Sequence, residues 1–188
     1  MRITPQILPA AQEHLQAIAD LAGIIWRASY PEIISSEQIE YMLRTMYSLD
    51  RLSEEVLRLG IRYERLLNAD ELIGFASFGP TEELHTFKLH KIYLHPQWQG
   101  RGLGSLLLKH CEQEIQILGG SKLILAVNKR NSKAIKSYQR NGFAIAESVV
   151  VDIGGGFVMD DYVVAKQLTC SQRKSPASLP GWNDFKLF

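Results

Sequence analysis

Residues 95–114 of the chain read HPQWQGRGLGSLLLKHCEQE, and they carry the strongest indication of the fold. It sets Gly100, Gly102 and Gly104 close together, directly ahead of apolar residues at helical spacing. Glycine loses more backbone freedom on folding than any other residue, so such a cluster needs a reason. A strand, a glycine-rich turn and a helix together direct backbone N–H groups at an anion, usually a phosphate. The stretch therefore predicts a phosphate-binding turn before a helix at about 104–118.

Two other phosphate-binding glycine loops are excluded by the letters themselves. The P-loop pattern G-x-x-x-x-G-K-[ST] is absent, and the pattern G-x-G-x-x-G fails because Ser105 stands where its last glycine is required. The pattern that is present is Q-x-x-G-x-G, through Gln99, Gly102 and Gly104. A flexible turn without any ligand is the structural alternative that so short a motif leaves open.

The order of helical and strand-like patterns predicts one mixed α/β domain with a central sheet flanked by helices. The predicted elements are helices at 10–30, 35–47 and about 50–59, strands at 61–67, 72–79 and 86–95, the helix at 104–118, a strand at 122–127, a helix from Asn131 and two strands about a turn at Gly154–Gly156. The run KLILAV at 122–127 is continuously apolar, which is typical of a strand buried on both faces.

We expect residues 1–168 to form this domain and the polar segment 169–188 to follow as a tail. The tail contains Trp182, Phe185 and Phe188, which are able to dock on the domain or on a partner.

The strand at 86–95 contains an irregularity. Its apolar residues change side-chain phase between Leu89 and Ile92. One inserted residue near His90–Lys91 would return all of them to one face of the sheet, so the pattern predicts a β-bulge there.

Composition limits the kinds of partner to expect. The 188 residues carry 21 Lys and Arg against 20 Asp and Glu, a net charge of +1, which gives no reason to expect nucleic acid or an anionic membrane as a partner. No apolar run approaches the roughly 18 residues of a membrane span, and the N-terminus turns polar too soon for a secretory signal. Cys111 and Cys170 lack metal-ligand spacing. We therefore expect a cytoplasmic protein without a metal; a homodimer is one open assembly.

QGRGLG, opening a helix after the strand IYLHP, resembles the acetyl-CoA-binding motif of the GNAT N-acetyltransferase superfamily. A second family segment, N-x-x-A-x-x-x-Y-x-x-x-G-F, is matched by Asn131, Ala134, Tyr138, Gly142 and Phe143. The two motifs stand in the order that the family has, and the resemblance covers about residues 1–168. It implies the GNAT fold and an N-acetyltransferase that uses acetyl-CoA as co-substrate.

The resemblance also implies which residues hold acetyl-CoA. Its pantetheine arm would lie along the bulged strand and its pyrophosphate against the glycine turn. The implied cofactor-binding residues are Ile92, Tyr93, Leu94, Gln99, Gly100, Arg101, Gly102, Leu103, Gly104, Ser105, Asn131 and Ala134. The bulge would leave a backbone N–H near Tyr93 or Leu94 free to face the thioester oxygen.

Acetyl transfer to an amine requires a deprotonated amine and a proton for the departing thiolate. Tyr138 matches the family tyrosine that donates this proton, although its helical spacing also suits a core residue. Many relatives carry a glutamate base on the bulged strand, and this strand has none. His90 is the candidate base because an imidazole suits proton transfer near neutral pH. The alternatives are Glu82, Glu83, His85 and water.

In this family the first two helices and their connection help to build the acceptor pocket. Trp26, Tyr30 and Glu32 lie there and would offer aromatic rings and one carboxylate to a cationic amine, although core packing explains Trp26 equally well. The leading hypothesis is transfer to a small-molecule amine. The alternatives are transfer to a protein N-terminus or lysine, and a module that binds acetyl-CoA without catalysis.

Overall fold

The structure, a computed structural model, describes residues 4–168. Within that range seven strands form one sheet of order β1-β2-β3-β4-β5-β7-β6. The strands are β1 (Pro5–Pro9), β2 (Arg62–Asn68), β3 (Glu71–Pro80), β4 (Thr86–Leu94), β5 (Lys122–Asn128), β6 (Ala144–Gly154) and β7 (Phe157–Gln167). The α-helices are α1 (Leu15–Ser29), α2 (Ser36–Met46), α3 (Leu49–Leu57), α4 (Leu103–Ile117) and α5 (Ser132–Arg140). The predicted mixed α/β architecture is confirmed, whereas Cys170 and the predicted tail lie outside the described residues.

The sheet divides at its centre, between β4 and β5. These two strands are parallel and pair only over Thr86–Lys88 and Lys122–Ile124, at their amino ends. Beyond Lys88, β4 continues along β3 while β5 continues along β7, so the two strands diverge. Their divergence leaves a V-shaped opening in the sheet, bounded by the carboxyl half of β4 and the carboxyl half of β5.

One face of the sheet, called the α4–α5 face below, carries the larger apolar cluster. Helix α4 contributes Leu107, Cys111 and Ile115 at a spacing of four residues, each 0% exposed. That spacing places all three side chains on one side of the helix, against Leu123 and Leu125 of β5. Cys111 therefore lies on the buried side of its helix.

The opposite face, called the α1–α3 face, is covered by the first three helices. Ile18, Met42 and Leu52 come from α1, α2 and α3 in turn, and they pack in one cluster with Phe75 of β3. Ser35 is the N-cap of α2, because its Oγ accepts a hydrogen bond from the N–H of Gln38 at 3.2 Å.

The predicted β-bulge is confirmed and is centred on His90. Ser77 of β3 pairs with Lys91 and the next residue, Phe78, pairs with Leu89, so His90 has no partner in the ladder. As a result, Leu89 and Ile92 contact the same apolar cluster on the α4–α5 face, whereas Lys91 is directed to the other face.

Two sequence expectations need correction. No strand was expected before the first helix, but β1 pairs antiparallel with β2 at the edge of the sheet, where its flanking prolines cost no ladder hydrogen bond. The strand at 122–127 was expected to be buried on both faces, yet Leu123, Leu125 and Val127 are buried while Ala126 is exposed. The reason is that α1, α2 and α3 cover β2 to β4 and leave this face of β5 uncovered.

Candidate active site

The glycine turn begins α4 with an unusual backbone. Gly100 and Gly102 have φ of +77° and +78°, and Gly102 is the N-cap of α4. Such angles strain any residue with a side chain, which explains these two glycines. A Cβ at either position would meet no atom within 4 Å, so the space above the turn is open. Gly104 has an ordinary helical conformation, and a Cβ there would only touch Leu94 at 3.6 Å.

The turn presents several free hydrogen-bond donors to that space. Among the described residues, the backbone N–H groups of 100–105 find no acceptor, and they surround the positive end of the α4 dipole. Unused donors, a helix N-terminus and open space together fit a phosphate group. The residues of the turn therefore fit the pyrophosphate of the implied co-substrate.

Neighbouring side chains hold the turn in place. The Gln99 amide donates to the carbonyl of Leu94 at 3.3 Å and accepts from the Lys133 ammonium at 3.0 Å. The Ser105 hydroxyl accepts from Asn141 at 3.1 Å, and the Arg101 guanidinium lies over the Trp98 ring, 5.0 Å from its centre. Lys133 adds a positive charge that sequence reasoning missed, because only the folded chain brings α5 beside the turn.

Helix α5 borders the V-shaped opening with two predicted residues. Asn131 is its N-cap, and its side-chain oxygen accepts a hydrogen bond from the N–H of Ala134 at 3.1 Å. Tyr138 packs edge-on against Phe143, with ring centres 5.8 Å apart. Burial raises the pKa of the Tyr138 phenol, and the nearby Tyr30 raises it further. The Tyr138 hydroxyl therefore keeps its proton at neutral pH.

Tyr30 lies at the end of α1 and faces this opening from the other side of the sheet. Its ring stacks on Trp26 with centres 4.4 Å apart and lies 6.5 Å from the ring of Tyr93. Burial raises the pKa of Tyr30; the side chains of Tyr93 and Asn131 oppose this shift, and the Asp161 carboxylate adds to it. Trp26 is only 3% exposed and lies behind Tyr30, which gives it a supporting position.

Asp161 of β7 was missed by sequence reasoning. It is 5% exposed, and its Oδ1 atom is buried without a hydrogen-bond partner in the described structure. Burial and the neighbouring Asp160 raise the pKa of the Asp161 carboxyl. The signal in the sequence was FVMDDYVVAK at 157–166, in which Asp161 shares the side-chain phase of the inward-facing Met159.

His90 occupies the bulge of β4, where it has no partner in the ladder. The surrounding protein desolvates its imidazole and, together with the positive charges of Lys88 and Lys91, lowers the pKa of His90 to about 4. The imidazole is therefore neutral at physiological pH, with a free pair of electrons but weak basicity.

The alternative bases lie at the other end of β4, away from the glycine turn. The Glu83 carboxylate pairs with the Lys122 ammonium at 3.0 Å, and Nδ1 of His85 lies 2.9 Å from the carbonyl oxygen of Gly119. Glu82 is an exposed residue of the same loop. His90 is thus the candidate that shares the open half of β4 with Ile92, Tyr93 and Leu94.

The bulge is held from below by a buried ion pair that the sequence did not indicate. The Lys91 ammonium lies 2.5 Å from the Glu55 carboxylate of α3, beneath the rings of Tyr47 and Tyr63. The Tyr63 hydroxyl also donates a hydrogen bond to the Glu55 carboxylate. Burial lowers the pKa of Lys91, and the charge of Glu55 opposes that shift.

The connection between α1 and α2 closes one side of the opening. The Arg130 guanidinium donates to the backbone carbonyl of Glu32 at 3.2 Å, which ties this connection to the start of α5. Glu32 itself stands exposed at the rim.

The β6–β7 hairpin closes the next side by docking on α2. The Tyr41 hydroxyl donates to the carbonyl of Ile153 at 2.7 Å, and the Gln38 amide donates to the carbonyl of Val158 at 3.0 Å. Gly155 has φ of +64°, and a Cβ there would lie 2.7 Å from the Tyr41 ring, so the turn requires glycine.

Residues 4–168 contain no group of three or more His, Cys, Asp or Glu arranged to hold a metal ion. No helix in this range is long and apolar enough to cross a membrane.

The curated relatives of the chain are acyltransferases named for different acceptors, among them spermidine, L-amino acids and mycothiol. The spermidine N(1)-acetyltransferase of Thermoplasma acidophilum is 28% identical over 152 residues, covering 79% of this chain and 91% of that protein. The spermine/spermidine N(1)-acetyltransferase of Bacillus subtilis is 30% identical over 119 residues, covering 58% of this chain and 75% of that protein. The crystal structure of PaiA N-acetyltransferase from Thermoplasma acidophilum, in complex with coenzyme A, has a TM-score of 0.76 at 25% identity and covers 88% of this chain and 99% of that one.

The model of the acetyltransferase (GNAT) family matches residues 17–143, which include both sequence motifs and the whole of β2 to α5. The resemblance inferred from those motifs and the predicted GNAT fold are confirmed. The chain belongs to the GNAT acetyltransferase family and is an acyltransferase.

Proposed function

We propose that this enzyme transfers the acetyl group of acetyl-CoA to a primary amine of a small cationic molecule. The observation that carries the proposal is the V-shaped opening, which has the glycine turn at one end and a group of polar and aromatic side chains on its α1–α3 side. The relatives named for spermidine and spermine support an acceptor of this class, and the coenzyme A complex of the related crystal structure supports the co-substrate.

The free N–H groups of 100–105, with Lys133 beside them, would bind the pyrophosphate, and Arg101 would add a further charge. The unpaired edge of β4 at Ile92, Tyr93 and Leu94 would accept the pantetheine arm as if it were an added strand. When bound, acetyl-CoA supplies the thioester carbonyl that is attacked and the thiol that leaves.

Tyr138 is the proposed general acid. Its hydroxyl is protonated at neutral pH, because burial and Tyr30 both raise its pKa, and it lies on the helix that borders the opening. Such a group is suited to give a proton to a departing thiolate. The bulge at His90 would turn a backbone N–H of β4 toward the carbonyl oxygen and stabilise the charge that develops there.

His90 is the proposed proton acceptor, acting directly or through a water molecule. Its pKa of about 4 keeps the ring neutral and ready to accept a hydrogen bond from the incoming amine. The same low value limits its strength as a base, so we expect a modest contribution. Tyr30, supported by Trp26, would hold the acceptor against its ring, while Glu32 attracts positive charge at the rim.

The test begins with thermal unfolding of the protein with and without acetyl-CoA, using ATP and NAD as controls. A ligand at ~100 times its dissociation constant stabilises the fold by about 2.7 kcal/mol, a rise of a few degrees in Tm. Thiol release is then measured with spermidine, putrescine, butylamine and a short peptide with a free N-terminus. We expect a shift with acetyl-CoA alone and thiol release with the amines.

Two outcomes would contradict the proposal in different ways. Thiol release with the peptide but with none of the amines would make the enzyme a protein acetyltransferase. A thermal shift without thiol release for any acceptor would mean binding without transfer.

A further inference from the structure

The buried carboxylate of Asp161 forms no ion pair within residues 4–168. It is 95% removed from solvent, yet no hydrogen bond or ion pair from residues 4–168 reaches its Oδ1 atom. Burying a carboxylate without a partner is among the costliest arrangements in a folded chain, and native proteins avoid it unless the group has another task. The same β7 strand places its neighbour Asp160 at the surface, in an ion pair with Lys129.

The cations around Asp161 are either engaged elsewhere or do not touch it. Lys129 is paired with Asp160 and also covers the Tyr162 ring. Lys88 of β4 acts on Asp161 only through its electric field and forms no ion pair with it among the described residues. No cation of the described protein is therefore paired with Asp161, and a positively charged ligand would be able to take that place.

Asp161 lies on the α1–α3 side of the opening, where the acceptor is proposed to bind. It lies in register opposite Asn128, the last residue of β5, where β5 and β4 are farthest apart. Its side-chain phase is that of Met159, which packs on the α1–α3 face, and its charge acts on the Tyr30 hydroxyl. Beside it on β5, Ala126 is exposed and leaves the approach open.

The sheet also separates Asp161 from the reacting atoms. In the order β4-β5-β7, β7 lies two strand spacings from β4, about 10 Å where strands pair and more where β4 and β5 diverge. The attacking nitrogen must come within about 3.5 Å of the thioester carbon that β4 would hold. A group at Asp161 is therefore bound at a distance from the reacting nitrogen.

The protonation of the amine also favours binding the reacting nitrogen and the non-reacting nitrogen at separate places. A carboxylate that binds an ammonium group stabilises its charged form, and a charged nitrogen cannot attack a carbonyl. At the reacting nitrogen such a pair would oppose the reaction. At a second nitrogen of the same molecule it contributes binding and orientation without that penalty.

We propose that Asp161 binds the non-reacting ammonium group of a diamine or polyamine acceptor and thereby selects such acceptors over monoamines. The inference rests on the proposed function and adds the residue that sets its specificity. Asp161 becomes fully paired only when the acceptor is bound, and the acceptor's other nitrogen is then directed toward β4.

The experiment compares putrescine with butylamine, which has the same carbon chain and one ammonium group fewer. For the wild-type enzyme we expect kcat/KM to favour putrescine by about 30-fold, the size of one charge-assisted hydrogen bond. In Asp161→Asn, which keeps the shape and removes the charge, that ratio should fall to near one. Asp160→Asn is the matched control and should keep the wild-type ratio, because Asp160 is an exposed neighbour paired with Lys129.

The results separate this inference from the proposed function. Thiol release with both amines but no preference in the wild type, or an unchanged ratio in Asp161→Asn, would overturn the role of Asp161 and leave the proposed function standing. Loss of thiol release with every amine in the wild type would overturn the proposed function. The acetyl-CoA thermal shift reports whether each variant is folded. Asp161→Glu, which retains the charge, should keep a preference for putrescine even if the asparagine variant does not fold.

Discussion

The two faces of the central sheet treat their buried polar groups differently. On the α4–α5 face, Lys166 pairs with Glu112 at 2.6 Å, and His110 Nε2 and Glu64 Oε2, which form no hydrogen bond in the described structure, face each other at 3.3 Å. On the α1–α3 face, Asp161 Oδ1 and the Trp26 indole N–H are buried without a hydrogen-bond partner in the described structure.

The unpaired groups of the α1–α3 face cost stability, which native proteins accept at functional sites. The α4–α5 face places these buried side chains opposite one another and offers backbone N–H groups at the glycine turn, so it is a rigid support for one constant ligand. The α1–α3 face keeps side-chain groups unpaired, as expected of a site whose partner arrives from outside.

The largest effect should come from Gly102→Val, which disrupts the glycine turn at the start of α4. Valine cannot adopt a φ of +78° without strain and would fill the space above the turn. Loss of two hydrogen bonds to phosphate, each worth about 1.5–3 kcal/mol, lowers acetyl-CoA affinity about 100-fold or more. Calorimetry measures this affinity. Gly60→Val is the control, since Gly60 has φ of +64° and open surroundings away from the turn; equal losses in both variants would contradict the assignment.

The next effect should come from Tyr138, which lies on α5 at the border of the V-shaped opening. Tyr138→Phe removes the proton donor and should lower kcat about 100-fold while leaving the KM for acetyl-CoA unchanged. Steady-state kinetics with putrescine gives both values. Tyr162→Phe is the control, because Tyr162 packs on the same apolar cluster and borders Lys129. Full activity of Tyr138→Phe would leave this residue with only its packing role.

The third effect concerns the ion pair under the bulge on the α1–α3 face. Glu55→Gln leaves Lys91 buried without its partner and should cost about 3–5 kcal/mol of unfolding free energy. Burial holds the pKa of Lys91 below its ordinary value, so the folded state resists protonation more than the unfolded state does. Stability of the variant should therefore rise as pH increases from 7 toward about 10, where lysine loses its proton in the unfolded chain.

Urea unfolding at several pH values measures this dependence. Glu54→Gln is the matched control one position away: Glu54 forms an exposed pair with Arg51, so its loss should cost less than about 1 kcal/mol at any pH. A Glu55→Gln variant as stable as this control would show that the bulge does not depend on the buried pair.

The smallest effect should come from His90. Because its pKa is about 4, the imidazole is neutral above pH 5, and kcat/KM should show no inflection from this group near pH 6.5. His90→Gln should lower kcat/KM about tenfold, which is less than the contribution of a base whose pKa lies near the working pH. His85→Asn tests the alternative base at the other end of β4. Asparagine is suitable there because it tolerates the φ of +58° found at position 85. A larger loss in His85→Asn than in His90→Gln would reverse the assignment.

Predictions from the sequence were accurate where a feature depends on neighbours along the chain. The bulge at His90 was visible as a change of phase within one strand, and the cap at Asn131 as a residue type before a helix. Predictions failed where a feature depends on what lies across the sheet. Strand β1 needs β2 as a partner, and the exposure of Ala126 depends on how far the first three helices reach.

The backbone site for the cofactor follows from the local sequence of this protein. A turn with positive φ at Gly100 and Gly102, followed at once by a helix, is a local arrangement, because backbone preference acts between adjacent residues. The acceptor side depends on tertiary contacts for much of its chemistry. Asp161 and the Glu55–Lys91 pair come from distant segments, and each is unremarkable in its own stretch of sequence. Burial and the absence or presence of a partner give these groups their chemistry, and both arise only when the sheet and its helices have assembled.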